Sequence, residues 1–96
     1  MAIYTNISSA ATTTLITKDS GVSGNIKKIT IANHDDSDAN VIQLHLYDGS
    51  TTFVIVETSI PARTTLVLND NLSFDPSIYN LRIITSSTAE TTIIIK

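Results

Sequence analysis

Apolar and polar positions alternate with a period of two along most of the chain, in short runs cut by turn residues. Val41 to Tyr47 sets Ile42, Leu44 and Leu46 on one face against Gln43 and His45 on the other. In Asn25 to Asn33, Ile29 and Ile31 alternate with Lys28 and Thr30. This alternation marks a half-buried β-strand, whose successive side chains point to opposite faces. The same reasoning predicts strands over Ala2 to Ser8, Thr12 to Lys18, Thr51 to Ser59, Thr64 to Leu68, Ile78 to Thr85 and Thr91 to Lys96. In Thr51 to Ser59, alternation assigns Val54 and Val56 to one face and Phe53 and Ile55 to the other. No run carries apolar residues at the three-to-four spacing of a helix.

The breaks between runs have turn chemistry. Asp48-Gly49-Ser50 is the strongest, because Asp-Gly between two alternating runs suits a hairpin turn that needs positive φ. Asp19 to Gly24 and His34 to Asn40 read as polar loops, and Pro61 interrupts a ladder because it has no amide hydrogen. Asn69-Asp70-Asn71 ends the strand before it, Ser73 to Ser77 reads as a turn with one helical turn around Pro76, and Ser86 to Ala89 is a small polar turn. The expectation is an all-β fold: a single antiparallel β-sandwich of about eight strands, jelly-roll or Ig-like. Residues 1–96 form one domain, with residues 1–10 as a candidate docking arm. Ile93-Ile94-Ile95 is apolar on both faces, so it is either central and doubly covered or part of a subunit contact.

Composition narrows the function. A 96-residue chain supports one thin core, and small domains often supplement theirs with disulfides, a metal or partner subunits. There is no Cys, and His34 and His45 are the only nitrogen ligands, which leaves partner subunits as the expected supplement. The net charge of -3, with Lys27-Lys28 the only adjacent basic pair, argues against a nucleic-acid partner. No run approaches the roughly 20 apolar residues of a membrane helix, and Met1 to Asn6 lacks the basic start and apolar stretch of a secretory signal.

Candidate chemistry is sparse. His34, Asp35, Asp36 and Asp38 form the one dense ligand cluster, and oxygen ligands at this spacing could hold Ca²⁺. The cluster lacks the Gly and distant Glu of a hand-type calcium loop, so a solvated loop whose acids cap turns is the expectation. As a catalytic base, His45 would need a nucleophile and an orienting acid, and the chain has neither a Gly-x-Ser-x-Gly elbow nor a Cys. Glu57, Asp48, Asp70 and Asp75 could pair for glycoside hydrolysis, but three of these four sit in turns, where Asp bonds locally. Gly21 and Gly24 stand alone with no helix after them, so they make no phosphate loop. Tyr4, Tyr47, Phe53, Phe74 and Tyr79 are scattered, and Phe53, Phe74 and Tyr79 are expected in the core. The chain is expected to be no enzyme, with no catalytic, metal-binding or cofactor-binding residue and no cofactor. The candidate interface residues are Ala2, Ile3, Tyr4, Ile7, Ile93, Ile94 and Ile95.

Four stretches together carry a resemblance. Lys28-Ile29-Thr30-Ile31-Ala32-Asn33 leads through a polar loop to Val41-Ile42-Gln43-Leu44-His45-Leu46-Tyr47-Asp48-Gly49. Ile60-Pro61-Ala62-Arg63-Thr64-Thr65-Leu66-Val67-Leu68 and Asn71-Leu72-Ser73-Phe74-Asp75 follow. From Asn25 to Lys96 the chain resembles small β-sandwich virion proteins of tailed bacteriophages, particularly those of marine and cyanobacterial hosts. The resemblance implies a structural protein located in the virion, a capsid decoration or cement protein whose partners are the major capsid protein or other virion proteins. A homotrimer is the expected assembly, gripping the shell through the N-terminal segment. The alternative is a neck, tail or fibre component, or a host-glycan-binding module using the His34–Asn40 loop, Asp48-Gly49-Ser50 and Tyr47.

Overall fold

The computed structural model describes residues 2–69 and 71–96; Met1 and Asp70, the latter one of the carboxylates considered above, lie outside the described residues. The described residues form ten strands: β1 (Ile3–Ile7), β2 (Thr12–Ile16), β3 (Asn25–Ile26), β4 (Ile29–Asn33), β5 (Asn40–Tyr47), β6 (Thr52–Ile60), β7 (Thr64–Leu68), β8 (Leu72–Ser73), β9 (Asn80–Thr85) and β10 (Thr91–Ile95). They are laid out as one long antiparallel hairpin. β1 pairs with β10, β2 with β9, β3 with β8, β4 with β7 and β5 with β6.

The tip of that hairpin is the Asp48-Gly49 turn, where Gly49 adopts φ 105°, a conformation an L side chain would strain. The Asp48 carboxylate accepts the Ser50 and Thr51 amides at 2.9 and 2.7 Å, which closes the turn. The hairpin is then wound on itself, so that β10 also pairs with β4 and β9 with β5. The result is two four-stranded sheets, ordered β1-β10-β4-β7 and β2-β9-β5-β6, with β3-β8 as a short two-stranded sheet. This is the double Greek-key order of a jelly roll.

The alternation in the sequence determines what lies between the sheets. Ile29, Ile31, Ile93 and Ile95 of the first sheet are buried with Ile42, Leu44, Leu81 and Ile83 of the second. In register, Ile93 sits opposite Ile31 and Ile95 opposite Ile29. Branched side chains pack well on such a pleated surface because their χ1 freedom is already small. β10 is the central strand between β1 and β4, which accounts for its run of isoleucines.

Four local expectations are corrected. The predicted strand Asn25–Asn33 divides into β3 and β4, which belong to different sheets. At Lys27-Lys28 both amides donate to the Lys96 carbonyl, at 2.8 and 3.1 Å, and the chain changes sheet there. The turn predicted from Ser73 begins later, because Leu72–Ser73 forms β8 against Asn25–Ile26. The single helical turn expected at Pro76 is present, with the Asp75 carbonyl accepting the Ile78 and Tyr79 amides. In β6, the register moves from Leu44 opposite Val56 to His45 opposite Val54. Ile55 is therefore an extra residue, a bulge that places Val54 and Val56 on opposite faces. Finally, Phe53 is 47% exposed instead of in the core, with its ring edge-on to Tyr79 at 5.9 Å. It lies on edge strand β6 near the hairpin tip, where the facing sheet no longer covers it.

Candidate functional site

The acidic loop is organised around its own backbone. The Asp35 carboxylate accepts the Ser37 and Asp38 amides at 3.1 and 2.9 Å, and these bonds hold it below the usual carboxylate range. Behind it, the buried Asn33 side chain accepts the Asp35 amide and donates to the Asp38 and Ile60 carbonyls. His34 Nδ1 lies 3.4 Å from Glu90. Among the described residues no three His, Asp or Glu side chains converge as a metal site would require. Asp48 and Asp75 are used in the same way, each lowered by hydrogen bonds within its own turn. Glu57 accepts from the Gln43 side-chain amide at 3.2 Å.

His45 lies on the outer face of the second sheet, beside Arg82 and Val54 in register, yet it is fully buried. The Arg82 Nε–H donates to His45 Nε2 at 2.9 Å. That bond occupies the ring's lone pair and requires the neutral ring to carry its proton on Nδ1, which is buried without a hydrogen-bond partner. Burial first, and the Arg82 charge second, push the His45 pKa down. A base needs a free lone pair beside the proton it removes, and this geometry supplies none. The Arg82 guanidinium also lies over the Tyr47 ring, 3.9 Å from its centroid, and the Tyr47 hydroxyl donates to the Gly49 carbonyl. One face of the Tyr47 ring is thus covered by Arg82. Sequence reading missed Arg82, since nothing in Leu81-Arg82-Ile83 shows that β9 will run beside β5.

The candidate interface residues separate into two groups. Ile7, Ile93 and Ile95 are buried core residues whose side chains face the second sheet. Ile3 packs half-buried against the same core. Ala2 is exposed, Tyr4 is 70% exposed, and Ile94 is half-buried on the outer face of the first sheet. In this structure Ile3–Ile7 is edge strand β1, bonded along its length to β10, and not a detached arm.

The register builds a surface from these outward residues. Tyr4, Ile94, Thr30 and Val67 form one row across the first sheet, and Asn6, Thr92, Ala32 and Thr65 form the next. Neither row contains a charged side chain. The Thr92 hydroxyl donates to Asn6 Oδ1 at 2.9 Å, bracing the edge strand. A second apolar surface runs along β6, where Phe53, Val54 and Ile55 are exposed in succession. Beneath it a groove of about 260 Å³, lined by Ile29, Ile55, Val56, Leu68, Asn71 and Leu72, opens between the sheets. Compared with models of known protein families and with curated protein sequences, the chain matches none.

Proposed function

We propose that this chain is a non-enzymatic structural subunit of a phage virion, a capsid decoration or cement protein that works by packing against copies of itself and against the major capsid protein. The observation that carries the reading is the pair of uncharged rows across the middle of the first sheet's outer face, Tyr4, Ile94, Thr30 and Val67 with Asn6, Thr92, Ala32 and Thr65. Single exposed apolar residues are ordinary, but contiguous uncharged rows on a sheet surface are characteristic of contact regions. Jelly-roll strand order is shared by viral capsid domains, and the resemblance of Asn25 to Lys96 to small phage virion proteins points the same way.

Light scattering on the full chain tests this, together with co-sedimentation with phage capsids stripped of their decoration protein. The expected result is a compact trimer that binds the shell, reduced to a folded monomer when Tyr4 and Val67 are both changed to Lys. A ring of six or twelve subunits would move the protein to the neck or tail. A monomer that does not bind capsids would overturn the proposal.

A further inference from the structure

We propose that Arg82 is the receiving group for a carboxylate presented by a protein partner on the outer face of the second sheet, an Asp or Glu side chain flanked by apolar residues. The proposal uses the reading of the chain as an assembling subunit only to say that the partner is a protein.

Arg82 is held in place on two sides. Its Nε–H is donated to the buried His45 at 2.9 Å, and its guanidinium lies over Tyr47, 3.9 Å from the ring centroid. Fixing Nε and the plane of the fork leaves the Nη groups in one orientation, so little further order is lost when an acceptor arrives. The site is also uncompensated. Among the described residues no carboxylate forms an ion pair with Arg82, and the Nη hydrogens have no acceptor there. Glu57, the acid on the same face, is engaged by Gln43. His45 adds no second charge, because its neutral form is the one that accepts from Arg82.

The surroundings decide which anion fits. On the same face Val54, 52% exposed, lies opposite His45 on β6 and exposed Ile84 lies two residues along β9, and Thr14 lies opposite Arg82 on β2. A fixed Arg flanked by apolar and aromatic side chains has features of an interface hot spot, where neighbouring contacts exclude water and the central pair gains strength. A polyanion would need several cations, whereas this face offers one within a chain of net charge -3. A single planar carboxylate matches a single fork.

The test follows the side-chain Nε–H signal of Arg82 by NMR while an N-acetylated, C-amidated Val-Asp-Val tripeptide is added to the full chain. Val-Asn-Val and inorganic phosphate serve as the other two probes. A saturable shift with the Asp peptide alone is expected. Arg82→Lys keeps the charge and loses the fork; followed through the Tyr47 and Val54 amides, it is expected to bind about tenfold more weakly. The proposal is overturned by no saturable shift, by an equal response to Val-Asn-Val, or by phosphate binding as tightly as the peptide. Solution mass of the same samples separates this idea from the assembly reading. A trimer that ignores the peptide removes the carboxylate site alone, and a monomer that binds it removes the assembly alone.

Discussion

The Asn40 side-chain amide donates to the Thr91 hydroxyl at 3.0 Å, joining two fully buried residues that are 51 positions apart in the chain. Asn40 begins β5 of the second sheet and Thr91 begins β10 of the first, so the bond crosses between the sheets at one end of the sandwich. Asn40 Oδ1 also accepts the Ser86 amide at 3.0 Å, and the Thr91 hydroxyl donates onward to the Ala89 carbonyl at 3.2 Å. Polar groups this deep are tolerated because each has a partner. Asn40→Ala would leave the Ser86 amide without its acceptor and a small void beside Thr91. A loss of about 2 kcal/mol is expected, read as a lower midpoint in urea denaturation with an unchanged slope. Unchanged stability would mean that the end of the sandwich is held by other contacts.

Core and surface isoleucines of β10 should behave oppositely although they are neighbours in sequence. Ile93→Ala empties a fully buried site and is expected to cost about 2–5 kcal/mol. Ile94→Ala on the outer face should cost under about 1 kcal/mol, while weakening self-association measured by light scattering. Removal of residues 2–8 would take away β1 and the buried Ile7, so circular dichroism should show a lower melting temperature as well as lost assembly.

Gly24 is required for space and not for a special dihedral. A Cβ built there would lie 1.9 Å from the Phe74 backbone carbonyl oxygen, and backbone cannot step aside as a flexible side chain can. The Phe74 amide donates to the Gly24 carbonyl at 3.0 Å just beside the β3-β8 pair. Gly24→Ala should therefore open that pair. Faster amide exchange at Ile26 and Phe74 would show it, and unaltered protection would contradict it.

The buried His45 makes stability depend on pH. Its folded-state pKa is lowered from 6.5 by burial and by the Arg82 charge. Below about pH 6.5 the unfolded chain therefore binds more protons than the folded one, and stability falls as pH drops from there toward the folded value. Above that window His45 contributes no slope. His45→Gln is expected to remove the decline between neutral pH and the range where Asp35, Asp48 and Asp75 begin to titrate, measured by urea midpoints across pH. An unchanged decline would place its origin elsewhere.

The sequence by itself determined most of the strands. Period-two alternation, as in Ile42, Leu44 and Leu46, and the Asp48-Gly49 turn depend on local backbone geometry, and both stand where the alternation put them. It also determined which of the β4 and β5 faces is buried, since apolar side chains on one side of a pleated strand must be covered. The tertiary structure alone decided what depends on residues far apart in the chain. Winding the hairpin placed β9 beside β5, so that Arg82 covers His45 and makes a face that reads as polar a buried one. The bulge at Ile55 reversed the alternation of Val54 and Val56, because one extra residue changes the side to which every later side chain points. In sequence Asn33 reads as the end of a strand and Asn40 as a loop residue, and they became the polar ties between the sheets only when Ile60 and Thr91 were brought within 3.0 Å of them.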